Sequence, residues 1–354
     1  MQPFSYNALP ARVIFGFDTL RQVAEEVQLL GCKRALVLST PHQKAEAQHL
    51  SDSLGELSVG TFTEATMHTP VEVTARAVEH VKRLDADCVI ALGGGSTIGL
   101  GKAIALNTDL PQIAIPTTYA GSEATPILGQ TEKGIKTTQR TLKVLPEVII
   151  YDVELTLTLP AQLTVTSGLN AIAHAVEALY SKDANPLISM LAEQGIAAIA
   201  RAIPRIHANP NDREARSDAL FGAWACGTCL GAVGMSLHHK LCHTLGGSFD
   251  LPHAETHTVV LPHAVAYNAS AAPEAIARVA RALGVDDAAK GLYDLATKHG
   301  APKSLADIGL RREDVARAAD IACASPYWNP RTIERASIGE LLENAFLGIR
   351  PNSN

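Results

Sequence analysis

The stretch CVIALGGGSTIGLGKAIAL (88–106) decides the fold class. Its opening, CVIALGG (88–94), is a short apolar run ending in glycine, the pattern of a parallel strand buried on both faces. TIGLGKAIAL (97–106) reads as helix, so Gly93, Gly94, Gly95 and Ser96 make the connection between strand and helix. Glycines there let a ligand approach the backbone closely. The N–H groups and positive dipole end of the helix favour a pyrophosphate. The spacing is not GxGxxG, so this is not an ordinary Rossmann fingerprint. By itself the turn is either a nucleotide cradle or a tight connection.

The order of strand then helix repeats on both sides. RALVLS (34–39) and QIAIPTT (112–118) read as buried strands, and ARVIFGFDTL (11–20) as an edge strand. TLRQVAEEVQLLG (19–31) and VEVTARAVEHVKRLD (71–85) read as amphipathic helices. This predicts an α/β N-terminal domain over residues 1–160, Rossmann-like, with a doubly wound, mostly parallel sheet. After LPEVIIYDVELTLTLP (145–160) the chain is rich in Ala and Leu at helical spacing. That predicts an all-α C-terminal domain over residues 161–354, with the active site in the cleft between the two.

A second polar loop, Pro116-Thr117-Thr118-Tyr119-Ala120-Gly121-Ser122-Glu123, follows the next strand. Ends of neighbouring parallel strands face one crevice. Gly94, Gly95, Ser96 and Thr97 are therefore expected to hold a dinucleotide together with Thr117, Thr118 and Ser122. The strand RALVLS ends at Ser39 and Thr40, with no acid. In many NAD sites a carboxylate there binds the ribose 2′-hydroxyl and repels a 2′-phosphate. Its replacement predicts that either NADH or NADPH serves.

The chemistry is carried by histidine. His238, His239, His243, His253 and His257 fall within LHHKLCHTLGGSFDLPHAETH (237–257), and His174 stands four residues after Asn170 in SGLNAIAHAVEALY (167–180). A helix places i and i+4 on one face, which pairs Asn170 with His174 and His239 with His243. Converging imidazoles ligate divalent transition metals, or act unaided as acids and electrostatic stabilisers. A carboxylate normally balances a metal's charge, and Asn170 cannot, so no required metal is expected. His238 and His257 are expected in supporting or incidental places, His263 at a turn or helix start, and His42 and His68 at strand ends lining the cleft. Cys226 and Cys229 form a CxxC in an apolar, helix-like context and are expected to be core thiols.

Composition narrows the class. The 354 residues are 47% hydrophobic and 19% charged, which fits a globular chain of two domains. A net charge of −6 argues against a broad nucleic-acid surface. No apolar run reaches the ~18 residues of a membrane span, and the N-terminal stretch lacks a secretory layout. Scattered cysteines fit reduced thiols in the cytoplasm. The expected partner is a small molecule, with no nucleic acid and no membrane.

GGGS, PTT-x-x-GSE, the N-x-x-x-H helix, H-x-x-x-H-x-L-G and the P-H pair before LPH occur here in one order. Together they resemble the iron-containing (group III) alcohol dehydrogenase family across nearly the whole chain. The resemblance implies a dinucleotide-binding domain, a helical domain, and a homodimer. It places the family's metal-ligand positions on Asn170, His174, His239 and His253, a substrate-facing histidine on His243, and a cofactor-contacting lysine on Lys136. Four departures stand out: Asn170 for the usual aspartate, Gly99 for the usual acid in GGGSTIGLGK, the short loop PTTYAGSEAT, and PHAETH without its usual asparagine. All four look like the maleylacetate reductase branch. That branch uses NADH or NADPH to reduce the C=C bond of maleylacetate, a small dicarboxylate, to 3-oxoadipate in aromatic-compound breakdown. In that reading His239 and His253 chiefly meet the oxyanion and His243 donates the proton. The competing expectations are a metal-dependent alcohol, lactaldehyde or glycerol dehydrogenase, a lyase of the dehydroquinate synthase type, and a His-rich metal-binding protein.

Overall fold

Short runs of four to six residues bounded by turns give the first unit its sheet. The computed structural model describes residues 4–9, 11–133 and 135–352, the side chains at 135 and 136 excepted. In chain order the first unit, Ala8–Leu159, runs through β1 (Arg12–Gly16), α1 (Val23–Leu29), β2 (Ala35–Leu38), α2 (Lys44–Leu54), β3 (Ser58–Phe62), α3 (Val71–Arg83), β4 (Cys88–Gly93), α4 (Gly95–Thr108), β5 (Gln112–Pro116), the hairpin β6 (Ile127–Glu132) and β7 (Ile135–Arg140), and β8 (Val148–Asp152). Six strands form one sheet in the order β1-β8-β5-β4-β2-β3, with every pairing parallel. β2, β4 and β5 are buried on both faces, as their unbroken apolar runs require. β1 is the edge strand expected from ARVIFGFDTL, paired to β8.

The topology places a crevice. The chain runs from β2 outward to β3, then crosses back to β4 on the other side of β2. Strand order reverses there, and ligands of open α/β sheets bind outside the carboxyl ends at such a point. Register brings those ends level: Leu38 pairs with Ala91, and Gly93 with Pro116. The antiparallel hairpin β6–β7 is an element that the strand-then-helix pattern does not announce.

The second unit, Pro160–Asn354 together with the start of the chain, is helical. It comprises α5 (Ala161–Tyr180), α6 (Pro186–Ala208), α7 (Arg213–Ala232), α8 (Leu237–Phe249), α9 (His253–Asn268), α10 (Pro273–Leu283), α11 (Ala288–Lys298), α12 (Asp314–Cys323) and α13 (Arg335–Leu347). α5 is buried along almost its whole length from Thr164 onward, so it is the unit's core helix. Val165, Leu169, Ile172 and Val176 pack with Ile196 and Ile199 of α6 and Leu261 of α9. α6 is long and apolar enough to cross a bilayer by length and composition, yet half of that window is buried inside this bundle. Its Gly195 lets Cys226 approach: a Cβ there would stand 2.7 Å from the sulfur. Cys226 and Cys229 are thus buried core thiols, held protonated by burial.

Candidate active site

In the first unit the glycine loop, after β4, meets the polar loop, after β5, beside the sheet's reversal point between β2 and β4. Gly94 caps α4, and Gly93 has φ +153°, open chiefly to glycine. A Cβ on Gly93 would lie 2.4 Å from Thr97 Oγ1, and one on Gly94 2.9 Å from Thr118 Cγ2. Gly95 is different. It is exposed, and its nearest neighbour would be Ser122 Oγ at 4.0 Å, so the space before it is open. Thr117 N–H donates to Gly93 carbonyl oxygen at 3.1 Å, which ties the two loops together. The hydroxyls of Thr97 and Ser122 are buried without a hydrogen-bond partner among the described residues. A backbone cradle that a side chain would fill, a long helix's N-terminus and two unsatisfied hydroxyls fit a phosphate-bearing dinucleotide.

Ser39 and Thr40 follow β2 directly. Ser39 is buried with its hydroxyl donating to Thr40 carbonyl oxygen at 3.1 Å, and Thr40 is half-buried. Gln43, one turn on, donates from Nε2 to Thr117 Oγ1 at 3.1 Å and so joins the β2 end to the polar loop. Sequence reading missed Gln43, because a glutamine in a PHQ turn carries no motif. Lys136 lies in β7, and its side chain is outside the described residues. His42 is exposed in the turn after β2, and His68 occupies a left-handed turn at φ 64°.

In the second unit α5, α8 and α9 build the histidine cluster. Ring nitrogens of His174, His239 and His257 lie within 4.8 Å of one another, and all three residues are buried. Ring centroids are 5.1 Å apart for His174 and His239, and 5.0 Å for His239 and His257. Burial, reinforced by the neighbouring imidazoles, holds each of the three rings well below the usual histidine range and hence neutral. His174 Nδ1, His239 Nε2 and both nitrogens of His257 have no hydrogen-bond partner among the described residues. Asn170 is buried on α5, one turn before His174.

His243 and His253 are exposed at the edge of this group. Their rings stand 6.2 Å from His239 and 4.2 Å from His257 respectively. His257, expected to be supporting or incidental, is therefore one of the three that converge. His238 lies beside it, with Nε2 3.0 Å from the His257 carbonyl oxygen. His263 departs from expectation. It is buried in the interior of α9, because Pro262 sits inside the helix and removes one hydrogen bond without ending it.

A further residue escaped sequence reading. Glu177, fully buried on α5, stands 2.8 Å from His239 Nδ1 and accepts from the Ser236 and His238 amides at 2.9 and 2.8 Å. Its signal was a glutamate in an otherwise apolar helix, three residues after His174.

Two family models cover most of the chain. The model described as iron-containing alcohol dehydrogenase matches residues 10–153, and the C-terminal model of the Fe-containing alcohol dehydrogenase family matches 164–346. The chain belongs to the iron-containing alcohol dehydrogenase family. As a member of that family it is an oxidoreductase. It is similar to the maleylacetate reductase of Rhizobium sp. (strain MTP-10005), at 60% identity over 99% of this chain and 100% of that one. The maleylacetate reductase of Burkholderia cepacia is 56% identical over 99% and 100%. The crystal structure of maleylacetate reductase from Agrobacterium tumefaciens superposes with a TM-score of 0.96, at 59% identity, covering 99% of this chain and 100% of that one.

The family's name implies iron. Three buried, neutral imidazoles with unpartnered nitrogens are the right donors for a divalent transition metal. Charge is the weak point, because the acid position that the resemblance assigns to the ligand set holds Asn170. The set thus fits such an ion in donor type, with an amide rather than a carboxylate at position 170 and the Glu177 carboxylate 2.8 Å from His239 Nδ1.

Proposed function

We propose that this enzyme reduces the C=C bond of maleylacetate to give 3-oxoadipate, using NADH or NADPH, and that it does so without a required metal. The single observation that carries this reading is the buried imidazole trio with Asn170 at the family's acid position. The full-length likeness to maleylacetate reductases supports it. Bound NAD(P)H supplies the hydride, to the alkene carbon remote from the ketone. Negative charge then develops on the ketone oxygen, and a proton must reach the carbon beside it. His239 and His253 are assigned chiefly to that charge. His239 rests neutral; to meet that charge it would take a proton from solvent on Nε2, and the resulting positive charge would be balanced by Glu177, 2.8 Å from Nδ1. His243, exposed to solvent, is the assigned proton donor. A divalent ion, if bound, would be held by His174, His239 and His257 and would polarise the ketone oxygen.

Acceptance of either nucleotide rests on Ser39 and Thr40, which present no carboxylate to repel a 2′-phosphate. Cytoplasmic location, a homodimeric state and the small dicarboxylate partner belong to the same proposal.

Purified enzyme should oxidise NADH and NADPH with maleylacetate and be slow with simple aldehydes and ketones. His243→Ala should depress kcat far more than dinucleotide affinity, whereas near-normal kcat would remove His243 from the chemistry. Complete loss of activity on chelation, restored by Fe²⁺ or Zn²⁺, would overturn the metal-free part and favour a metal-dependent alcohol dehydrogenase.

A further inference from the structure

We infer that Glu177 is the positioning residue of the histidine cluster: it fixes which nitrogen of His239 is free to work. This deepens the proposed use of the cluster and rests on that reading. Glu177 Oε1 accepts from Ser236 Oγ at 2.9 Å and from the His238 amide at 2.8 Å. Oε2 accepts from the Ser236 amide at 2.9 Å and stands 2.8 Å from His239 Nδ1. Backbone amides only donate, so both oxygens are held as acceptors. A carboxylate has no proton to give, so the ring nitrogen facing Oε2 carries the proton. A neutral imidazole has one N–H, which leaves the lone pair on Nε2. Nε2 is buried, has no partner among the described residues, and belongs to the ring that converges with His174 and His257.

The same carboxylate fixes position as well as tautomer. Ser236 and His238 open α8, so Glu177 caps the helix start and places the backbone from which His239 projects. Ring and backbone are set by one group, three residues beyond His174 on α5. One helix therefore supplies a ring of the cluster and the carboxylate that orients another. Carboxylates that orient a functional imidazole in this way typically matter ~10–100-fold in activity or metal affinity.

Long-range ¹H–¹⁵N NMR of ¹⁵N-histidine-labelled wild-type enzyme tests this without any change in Glu177. The His239 ring, assigned by its loss in His239→Asn, should show a protonated Nδ1 and a bare Nε2. A ring protonated on Nε2 alone would overturn the inference. Glu177→Gln should mix the tautomers and lower kcat roughly 10–100-fold, leave the KM for NADH unchanged, and be partly rescued by Glu177→Asp. A natively folded Glu177→Gln enzyme with wild-type kcat and tautomer would also overturn it. If Glu177→Gln does not fold, the wild-type spectrum decides alone. Failure of wild-type enzyme to turn over maleylacetate would sink the substrate reading, while the spectrum still judges Glu177.

Discussion

Lys102 Nζ lies 2.7 Å from the carbonyl oxygen of Thr125, inside a fully buried pocket of oxygens. The carbonyl oxygens of Ser122 and Ile127, at 2.6 and 2.9 Å, and Thr125 Oγ1, at 3.0 Å, also surround it and share its three N–H donors. One helix, α4, thus presents its N-terminus to the glycine loop and fastens the end of the polar loop with an interior side chain. Lys102→Met keeps the bulk and strands those acceptors. Each stranded polar group costs roughly 1–3 kcal/mol, so a clear fall in thermal stability and weaker NADH binding are expected. Differential scanning fluorimetry with and without NADH measures both, and unchanged values would deny Lys102 this clamping role.

Gly94 and Gly95 should separate folding from binding. A methyl on Gly94 meets Thr118 at 2.9 Å, so Gly94→Ala should cost roughly 1–3 kcal/mol of overpacking along with dinucleotide affinity. A methyl on Gly95 meets no protein atom closer than 4.0 Å and enters the open space. Gly95→Ala should therefore melt like wild type and still bind NADH poorly. Calorimetric titration beside a melting curve would show it, and tight NADH binding by Gly95→Ala would move the pyrophosphate elsewhere.

Buried histidines set an acid limit. Burial pulls His263 and His238 down to about 4 in the folded protein, against ~6.5 when unfolded. Between those values the unfolded chain binds more protons, so stability is complete above pH ~6.5 and is lost as pH falls toward 4. His263 alone contributes on the order of 3 kcal/mol to this loss. Unfolding curves from pH 7.5 to 4.5 should show the decline, and His263→Asn should flatten it. An equal slope in that variant would place the titration elsewhere.

Asn170→Asp restores an anion beside His174. A carboxylate about 4 Å from a cation gains several kcal/mol at intermediate dielectric, before desolvation. Zinc affinity should rise by at least about tenfold, read by competition with a chelating dye. An unchanged affinity would mean that charge at 170 is not what governs metal binding.

The α/β unit was legible because its signal is local. CVIALGG and RALVLS are short apolar runs bounded by turn signals, the pattern of a strand buried on both faces, and glycines mark where β4 gives way to α4. The pairing of Asn170 with His174 was legible for the same reason, since helical spacing fixes it. Glu177 and His257 were not. The first reads as a lone glutamate on its helix, and the second as a neighbour of His253, until α5, α8 and α9 pack together. His263 was misplaced because a proline usually marks a helix start, and here tertiary packing carries α9 through Pro262.

Sequence alone determined the order of elements, the glycine cradle and the substitution of an amide for an acid at 170, all of them properties of neighbours along the chain. Which imidazoles converge, which stay at the rim, and which carboxylate holds His239 were decided only by packing. Those relations join residues up to 83 positions apart, from His174 to His257, and burial, which strips water from the rings and sets their charge, exists only once the helices have met.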